Sequence, residues 1–141
     1  MTTDVVVLDT HVLVWLLEGD RRLSIKARDA IGAASRVCLS AITPWEIGML
    51  AAKGRLGFGD QDVQQWIDEV LALPAVHLVP LLPSIAIASS RLPGELHGDP
   101  ADRLIAATAR HLDAVLVTAD GKLLAYGAAG HLRVLAGRCQ V

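Results

Sequence analysis

The stretch Val5-Val6-Val7-Leu8 is the feature that most restricts this chain. Its apolar, mostly β-branched residues follow one another without polar alternation, so as a strand it must be buried on both faces. Such a strand needs helices packed above and below it. The chain supplies them. Helical periodicity or end signals fall at 10–19, 24–34, 43–54, 60–73, 84–92 and 101–112, with a helical turn at 122–127. Short apolar runs at 36–40, 76–81, 114–120 and 131–135 read as further strands. The alternation predicts an α/β fold with a mostly parallel central sheet flanked by helices. No linker or repeat divides the 141 residues, a length that suits one domain.

Local signals support these elements. Gly19 closes the first helix and Ser24 is placed to cap the second. Pro44 stands at the first position of the helix 43–54, with Gly54 past its end. In 60–73, Val63, Trp66, Ile67, Val70 and Leu71 share the inward face.

Composition excludes several classes. With 52% hydrophobic and 20% charged residues the chain is globular rather than disordered. A net charge of −2 gives no long-range pull on nucleic acid, though it leaves room for a local basic patch. Cys38 and Cys139 belong to no CxxC or Cys/His cluster, which argues against zinc and fits a reducing cytosol. The apolar stretch Val5 to Leu17 is broken by Asp9 and His11, so it neither spans a membrane nor targets one. The expectation is a cytoplasmic protein with no membrane partner.

The chemistry lies where the strands end. In an open parallel sheet, ligands bind outside the carboxyl ends of the strands. Asp9 follows the first strand directly, and Asp120 lies just past the strand that begins at Ala114. Glu46 is in the first turn of the helix after the strand Arg36 to Leu39. Asp102 begins a helix that must run antiparallel to the next strand, so its N-terminus lies at the same edge. Topology alone thus places Asp9, Glu46, Asp102 and Asp120 together.

Each acid also has a structural reading. Thr43-Pro44-Trp45-Glu46 has the form of a capping box, and Asp99-Pro100-Ala101-Asp102 that of an N-cap with an acid at N3. Asp120 and Asp9 precede helical segments that they could cap. Capping and ligation are compatible, because a helix end holds a carboxylate in place. Carboxylates crowded into one volume repel each other and stay ionised only beside a cation. Oxygen-only ligands select hard ions, Mg²⁺ or Mn²⁺, which activate water and clamp phosphate oxygens. The chemistry indicated is phosphodiester hydrolysis.

These residues resemble a known family. Asp9-Thr10 after the VVVL strand is similar to the opening motif of PIN-domain nucleases, and Ser40-Ala41-Ile42-Thr43-Pro44-Trp45-Glu46 to their second. The stretch Gly98-Asp99-Pro100-Ala101-Asp102-Arg103-Leu104-Ile105-Ala106-Ala107-Thr108-Ala109 is similar to the third and is the most specific match, and Thr118-Ala119-Asp120 matches the fourth. Order, spacing and length together resemble VapC-type toxins of bacterial toxin–antitoxin pairs. The resemblance implies a single PIN-like domain over 1–141, with a three-layer α/β/α architecture. It implies a Mg²⁺-dependent endoribonuclease, with Mn²⁺ as a substitute, that acts on RNA, is often a homodimer and is held inactive by a cognate antitoxin. By the same resemblance Asp9, Glu46, Asp102 and Asp120 are the catalytic, metal-binding acids, and Asp99 is a further candidate.

Thr10, Ser40, Thr43 and Thr118 read as caps and turn closers whose hydroxyls could also orient the carboxylates. Trp15, Trp45 and Trp66 sit at helical positions as core or interface. His11 and His97 flank the edge, without a role as general base. Arg103 is placed to pair with a neighbouring acid or a phosphate, and Lys53, Arg55 and Lys122 are candidates to steer RNA. Two other readings stand beside the nuclease. A haloacid-dehalogenase-like phosphatase also carries an aspartate after its first strand, but it wants a second two residues on, where this chain has His11. A non-catalytic interaction module would use the acids only as caps and bind no divalent metal.

Overall fold

The computed structural model describes residues 4–139. In chain order the elements are β1 (Val5–Leu8), α1 (Thr10–Glu18), α2 (Ile25–Ala33), β2 (Arg36–Ser40), α3 (Ile42–Ala52), α4 (Val63–Leu71), β3 (Val76–Val79), α5 (Pro83–Ser90), α6 (Pro100–Leu112), β4 (Val115–Thr118), α7 (Gly121–Ala128) and β5 (Val134–Ala136). The strands form one sheet in the order β3-β2-β1-β4-β5. Each neighbouring pair is parallel, so the mostly parallel sheet expected is parallel throughout its named strands.

The unbroken apolar strands are explained by two cores, one on each face. Val6, Leu8, Val37, Leu39, Val115 and Val117 join Leu13, Ile31, Ile47 and Ile67 of α1 to α4. The alternate residues Val7, Cys38 and Leu116 join Ile105, Ala106 and Ala109 of α6 and Leu123 and Tyr126 of α7. Residues two apart in a strand face the same way, so neither face can be polar. Leu8, Leu39 and Leu116 are wholly buried, and each such burial stabilises the fold by roughly 1.5–3 kcal/mol.

The order of the strands also makes the site. From β1 the chain proceeds to β2 and β3 on one side, and later fills the other side with β4 and β5. The reversal leaves a crevice at the carboxyl ends of β1 and β4.

Most helix ends fall where local chemistry put them. Gly19 takes φ 66° at the end of α1, a left-handed conformation that glycine adopts without strain. Ser24 accepts from the Ala27 N–H at the start of α2. The helical turn expected at 122–127 is a longer helix, α7, capped by Asp120. Two readings are corrected. First, α3 begins at Ile42, with Ala41 as its cap residue and no side-chain capping bond. Ser40 Oγ accepts from the Ile42 N–H at 3.2 Å, so the chain turns into the helix before Thr43. Thr43 and Glu46 therefore lie inside the helix and form no capping box. Second, Arg103 pairs with no acid among the described residues; it donates to the Ser89 and Leu96 carbonyls at 2.8 and 2.9 Å. It serves as a strut between α6 and the 89–96 segment.

The tryptophans divide. Trp15 is buried, Trp66 is half-buried against Phe58 with ring centres 4.9 Å apart, and Trp45 is 54% exposed. Among the described residues no helix is long and apolar enough to cross a membrane.

Candidate functional site

Asp9 is the first residue after β1, and its place in the sheet is set by the backbone. Its N–H donates to the Val117 carbonyl of β4 at 3.0 Å. Its carboxylate spans two elements: Oδ1 accepts from the Thr10 N–H at 2.8 Å, and Oδ2 accepts from the Thr118 hydroxyl at 2.6 Å. Asp9 is 7% exposed. Burial pushes its carboxyl above the ordinary range, opposed by the bonds from Thr118 and Thr10, while Asp120 pushes further upward. Asp9 thus caps α1, and a polar grip at the switch between β1 and β4 holds it still.

Thr10 passes the grip on. Its hydroxyl donates to Glu46 Oε1 at 2.6 Å and lies 3.3 Å from the Thr43 hydroxyl. Thr10 and Thr43 are both buried, so Glu46 is steered from α1 and not by its own helix end. Burial raises the Glu46 carboxyl to about 7; the Thr10 bond opposes this, and Asp9, Asp102 and Asp99 push the same way as burial.

The start of α6 supplies two more acids. Asp99 caps the helix, its Oδ1 accepting from the Ala101 and Asp102 N–H groups at 2.9 and 3.2 Å. Asp102 Oδ2 lies 2.7 Å from His97 Nε2. Burial raises the Asp102 carboxyl, His97 opposes, and Asp99, Asp9 and Asp120 add to the rise. Asp120 caps α7, its Oδ1 accepting from the Lys122 and Leu123 N–H groups at 2.7 and 3.2 Å. Its own N–H donates to the Thr118 hydroxyl at 3.0 Å, so Thr118 serves Asp9 and Asp120 at once.

Asp9, Glu46, Asp99, Asp102 and Asp120 all line one pocket of about 440 Å³, together with His11, Trp15, Arg22, Ala119 and Arg138. The acids placed on one edge by topology are therefore together in space. Ser40 is buried, but its hydroxyl goes to the entry of α3. Within the described residues the tightest ligand-like trio is His97, Asp99 and Asp102, whose nearest donor atoms all lie within 4.8 Å of one another. The sequence places His97 at this edge but gives it no role as a ligand or as a partner of Asp102. Its only signal was its place before Gly98-Asp99-Pro100, the turn that opens α6. Its Nδ1 is buried without a partner among the described residues. The donor set fits a hard divalent ion: carboxylate oxygens from four segments, with Asp9, Glu46 and Asp102 drawn toward protonation by burial and by one another. A bound cation would relieve that crowding.

Beside the acids lies a second, mostly apolar depression of about 620 Å³, lined by Ile42, Trp45, Met49, Leu50, Pro100 and Ala101 and bordered by Glu46 and Asp99.

Comparison with known proteins agrees with this arrangement. The family model described as PIN domain matches residues 6–129. The chain is 38% identical to ribonuclease VapC22 of Mycobacterium tuberculosis over 123 residues, covering 87% of this chain and 91% of the relative. Among solved structures it is similar to a toxin–antitoxin complex from Klebsiella pneumoniae, at TM-score 0.63 and 26% identity over 93% of this chain and 96% of that one. It is also similar to DNA-bound VapBC from Salmonella typhimurium, at TM-score 0.68 and 19% identity over 96% and 98%. With the motifs in order along the chain and their acids in one pocket, this protein belongs to the PIN-domain family.

Proposed function

We propose that the protein is a metal-dependent endoribonuclease, the VapC toxin of a toxin–antitoxin pair, with Asp9, Glu46, Asp102 and Asp120 holding Mg²⁺ or Mn²⁺. The observation that carries this reading is the convergence of these acids in one pocket at the sheet's switch point. The 38% identity to a ribonuclease over most of both chains supports it. When bound, such an ion lowers the pKa of its water and neutralises charge on a phosphate.

The chain's own residues do the positioning. Thr118 and the Thr10 N–H lock the Asp9 carboxylate, and Thr10 aims Glu46. His97 holds Asp102, and the α7 N–H groups hold Asp120. Asp99 caps through Oδ1, which leaves Oδ2 as a further ligand for the ion. These supports keep the carboxylates at fixed positions, and outer contacts of this kind tune metal affinity. The phosphatase reading has no acid at position 11 to supply its second carboxylate.

The partners follow from surface chemistry. The apolar depression shares Glu46 and Asp99 with the acid pocket, so an antitoxin segment seated there would also block the site. Leu78, Leu81, Leu82 and Ile87, on and after the edge strand β3, are exposed. Such a patch suits a homodimer contact.

The test is cleavage of a mixed RNA pool with Mg²⁺ or Mn²⁺, against EDTA, for the wild type and Asp9→Asn. The expected outcome is metal-dependent cleavage that falls at least about 100-fold in the variant. Asparagine caps a helix about as well as aspartate, so undiminished cleavage by Asp9→Asn would reduce the acids to caps. Calorimetric titration with Mn²⁺ separates an enzyme from a non-catalytic module, which would give no heat of binding.

A further inference from the structure

A pocket that attracts a metal ion repels an RNA strand. The net charge of −2 supplies no general attraction to offset this. Cations must therefore meet the phosphates on either side of the one being cut. Two arginines stand in the wall of the acid pocket, Arg22 and Arg138.

Their placement is built by the fold. The segments around residues 23 and 138 are clipped together: Ser24 N–H donates to the Gly137 carbonyl at 2.8 Å, Cys139 N–H donates to the Arg22 carbonyl at 2.7 Å, and Leu23 bridges Arg138. The clip lies close on α1, since a Cβ at Gly137 would sit 2.9 Å from Val12 Cγ2. Both guanidinium carbons are 5.0 Å from the centre of the Trp15 ring. Trp15 is 4% exposed, which leaves no open face for a base, so it serves as a platform for the arginines.

Two cations over one ring repel each other, and among the described residues a single ion pair offsets them. Arg22 uses Nε and Nη2 to bind the Asp20 carboxylate at 2.7–3.2 Å. Those bonds, with a contribution from the Arg138 charge, hold Asp20 down at about 2. Glu18 acts on Arg22 only through space. Among the described residues, Asp20 is the one carboxylate that bonds Arg22, and it acts on Arg138 through space. Among the described residues, neither arginine forms an ion pair with an acid of the pocket. The arginines therefore leave the carboxylates free for metal while lining the same pocket.

Building on the ribonuclease reading, we propose that Arg22 and Arg138, seated on Trp15, form a phosphate clamp that holds the RNA backbone beside the scissile phosphodiester. The planar guanidinium fork matches a phosphate's oxygens. Asp20 competes for Nε and Nη2 of Arg22 and leaves Nη1 unused, while the backbone clip keeps the two arginines side by side.

The experiment measures cleavage of a fluorescent mixed-sequence RNA pool in Mg²⁺ by Arg22→Gln, Arg138→Gln, their lysine counterparts and Asp20→Asn. Mn²⁺ titration and thermal melts accompany each variant. In folded glutamine variants KM should rise about fivefold to twentyfold, kcat should stay within about twofold, and the salt slope of binding should fall by about one per arginine. Mn²⁺ affinity should be unchanged. The lysine variants should keep the salt slope. Asp20→Asn should leave KM unchanged or lower it, because it removes the anion that competes for Arg22. If Asp20→Asn instead raises KM as Arg22→Gln does, the ion pair is structural and the clamp is overturned. Folded glutamine variants with wild-type KM and salt slope, from an enzyme that does cleave RNA, would also overturn the clamp and leave the ribonuclease reading standing. A wild type that cleaves no RNA overturns both.

Discussion

At the scale of single residues, the site is a set of acids whose burial works against their charge. Glu46 shows the consequence. Its folded pKa is about 7 against an ordinary 4.5, from burial first and its acidic neighbours next. Without metal, the folded chain keeps a proton that the unfolded chain releases. The associated stability is complete below about 4.5 and is lost as pH rises through about 7. Thermal melts in EDTA should therefore show a lower Tm at pH 7.5 than at pH 5. Glu46→Gln should remove a share of the difference on the order of 2 kcal/mol. Burial also raises Asp9 and Asp102, so Asp9→Asn in EDTA should be as stable as the wild type or more so, even as it loses cleavage. Metal binding runs the other way, because the ion must displace the protons; Mn²⁺ affinity measured by calorimetry should rise over the same window. Thr118 tests the supports. Thr118→Val removes the hydroxyl that bonds Asp9 at 2.6 Å and receives the Asp120 N–H. It should cost about 1–3 kcal/mol in denaturant unfolding and lower cleavage by about 10–100-fold.

At the scale of elements, Asp9, Asp99, Asp102 and Asp120 are delivered at the ends of helices or strands and Glu46 from within α3, so precision at the site depends on how those elements pack. The contact between α7 and β5 has no slack. A Cβ at Gly127 would collide with Val134 Cγ2 and lie 2.7 Å from Cγ1, and a branched side chain held in a strand cannot swing aside. Gly127→Ala should destabilise by about 1–3 kcal/mol in chemical unfolding, although alanine is the better helix former. It should also displace α7 and so weaken the hold on Asp120. α3 shows where local signals mislead. Thr43, Pro44 and Glu46 have the spacing of a helix start, yet the helix begins at Ile42. The hydroxyl and carboxylate that would have capped it are turned toward Thr10. A side chain between two partners goes to the one that leaves fewer buried groups unpaired, and that partner comes from another element.

For the whole molecule, the switch in strand order gathers the acid pocket, the arginines and the apolar depression around one opening. The exposed Leu78, Leu81, Leu82 and Ile87 lie on and beyond the β3 edge. Light scattering should therefore give a dimer mass, and Ile87→Glu should reduce it to that of a monomer while RNA cleavage per chain persists. Much of this was written in the linear chain. Unbroken apolar runs such as Val5 to Leu8 required burial on both faces, and their alternation with helical segments required a parallel sheet. That sheet then had to bring Asp9, Glu46, Asp102 and Asp120 to one edge. Periodicity and end signals suffice for this because they act between residues a few positions apart. Other features became visible only in three dimensions. His97 against Asp102, Thr10 aiming Glu46, Arg103 bonding to backbone, and Arg22 beside Arg138 on Trp15 join positions with no regular spacing between them. Such pairings depend on which segments the folded sheet brings within about 3 Å for a hydrogen bond or 5.0 Å for a cation over a ring, and no local propensity encodes those distances.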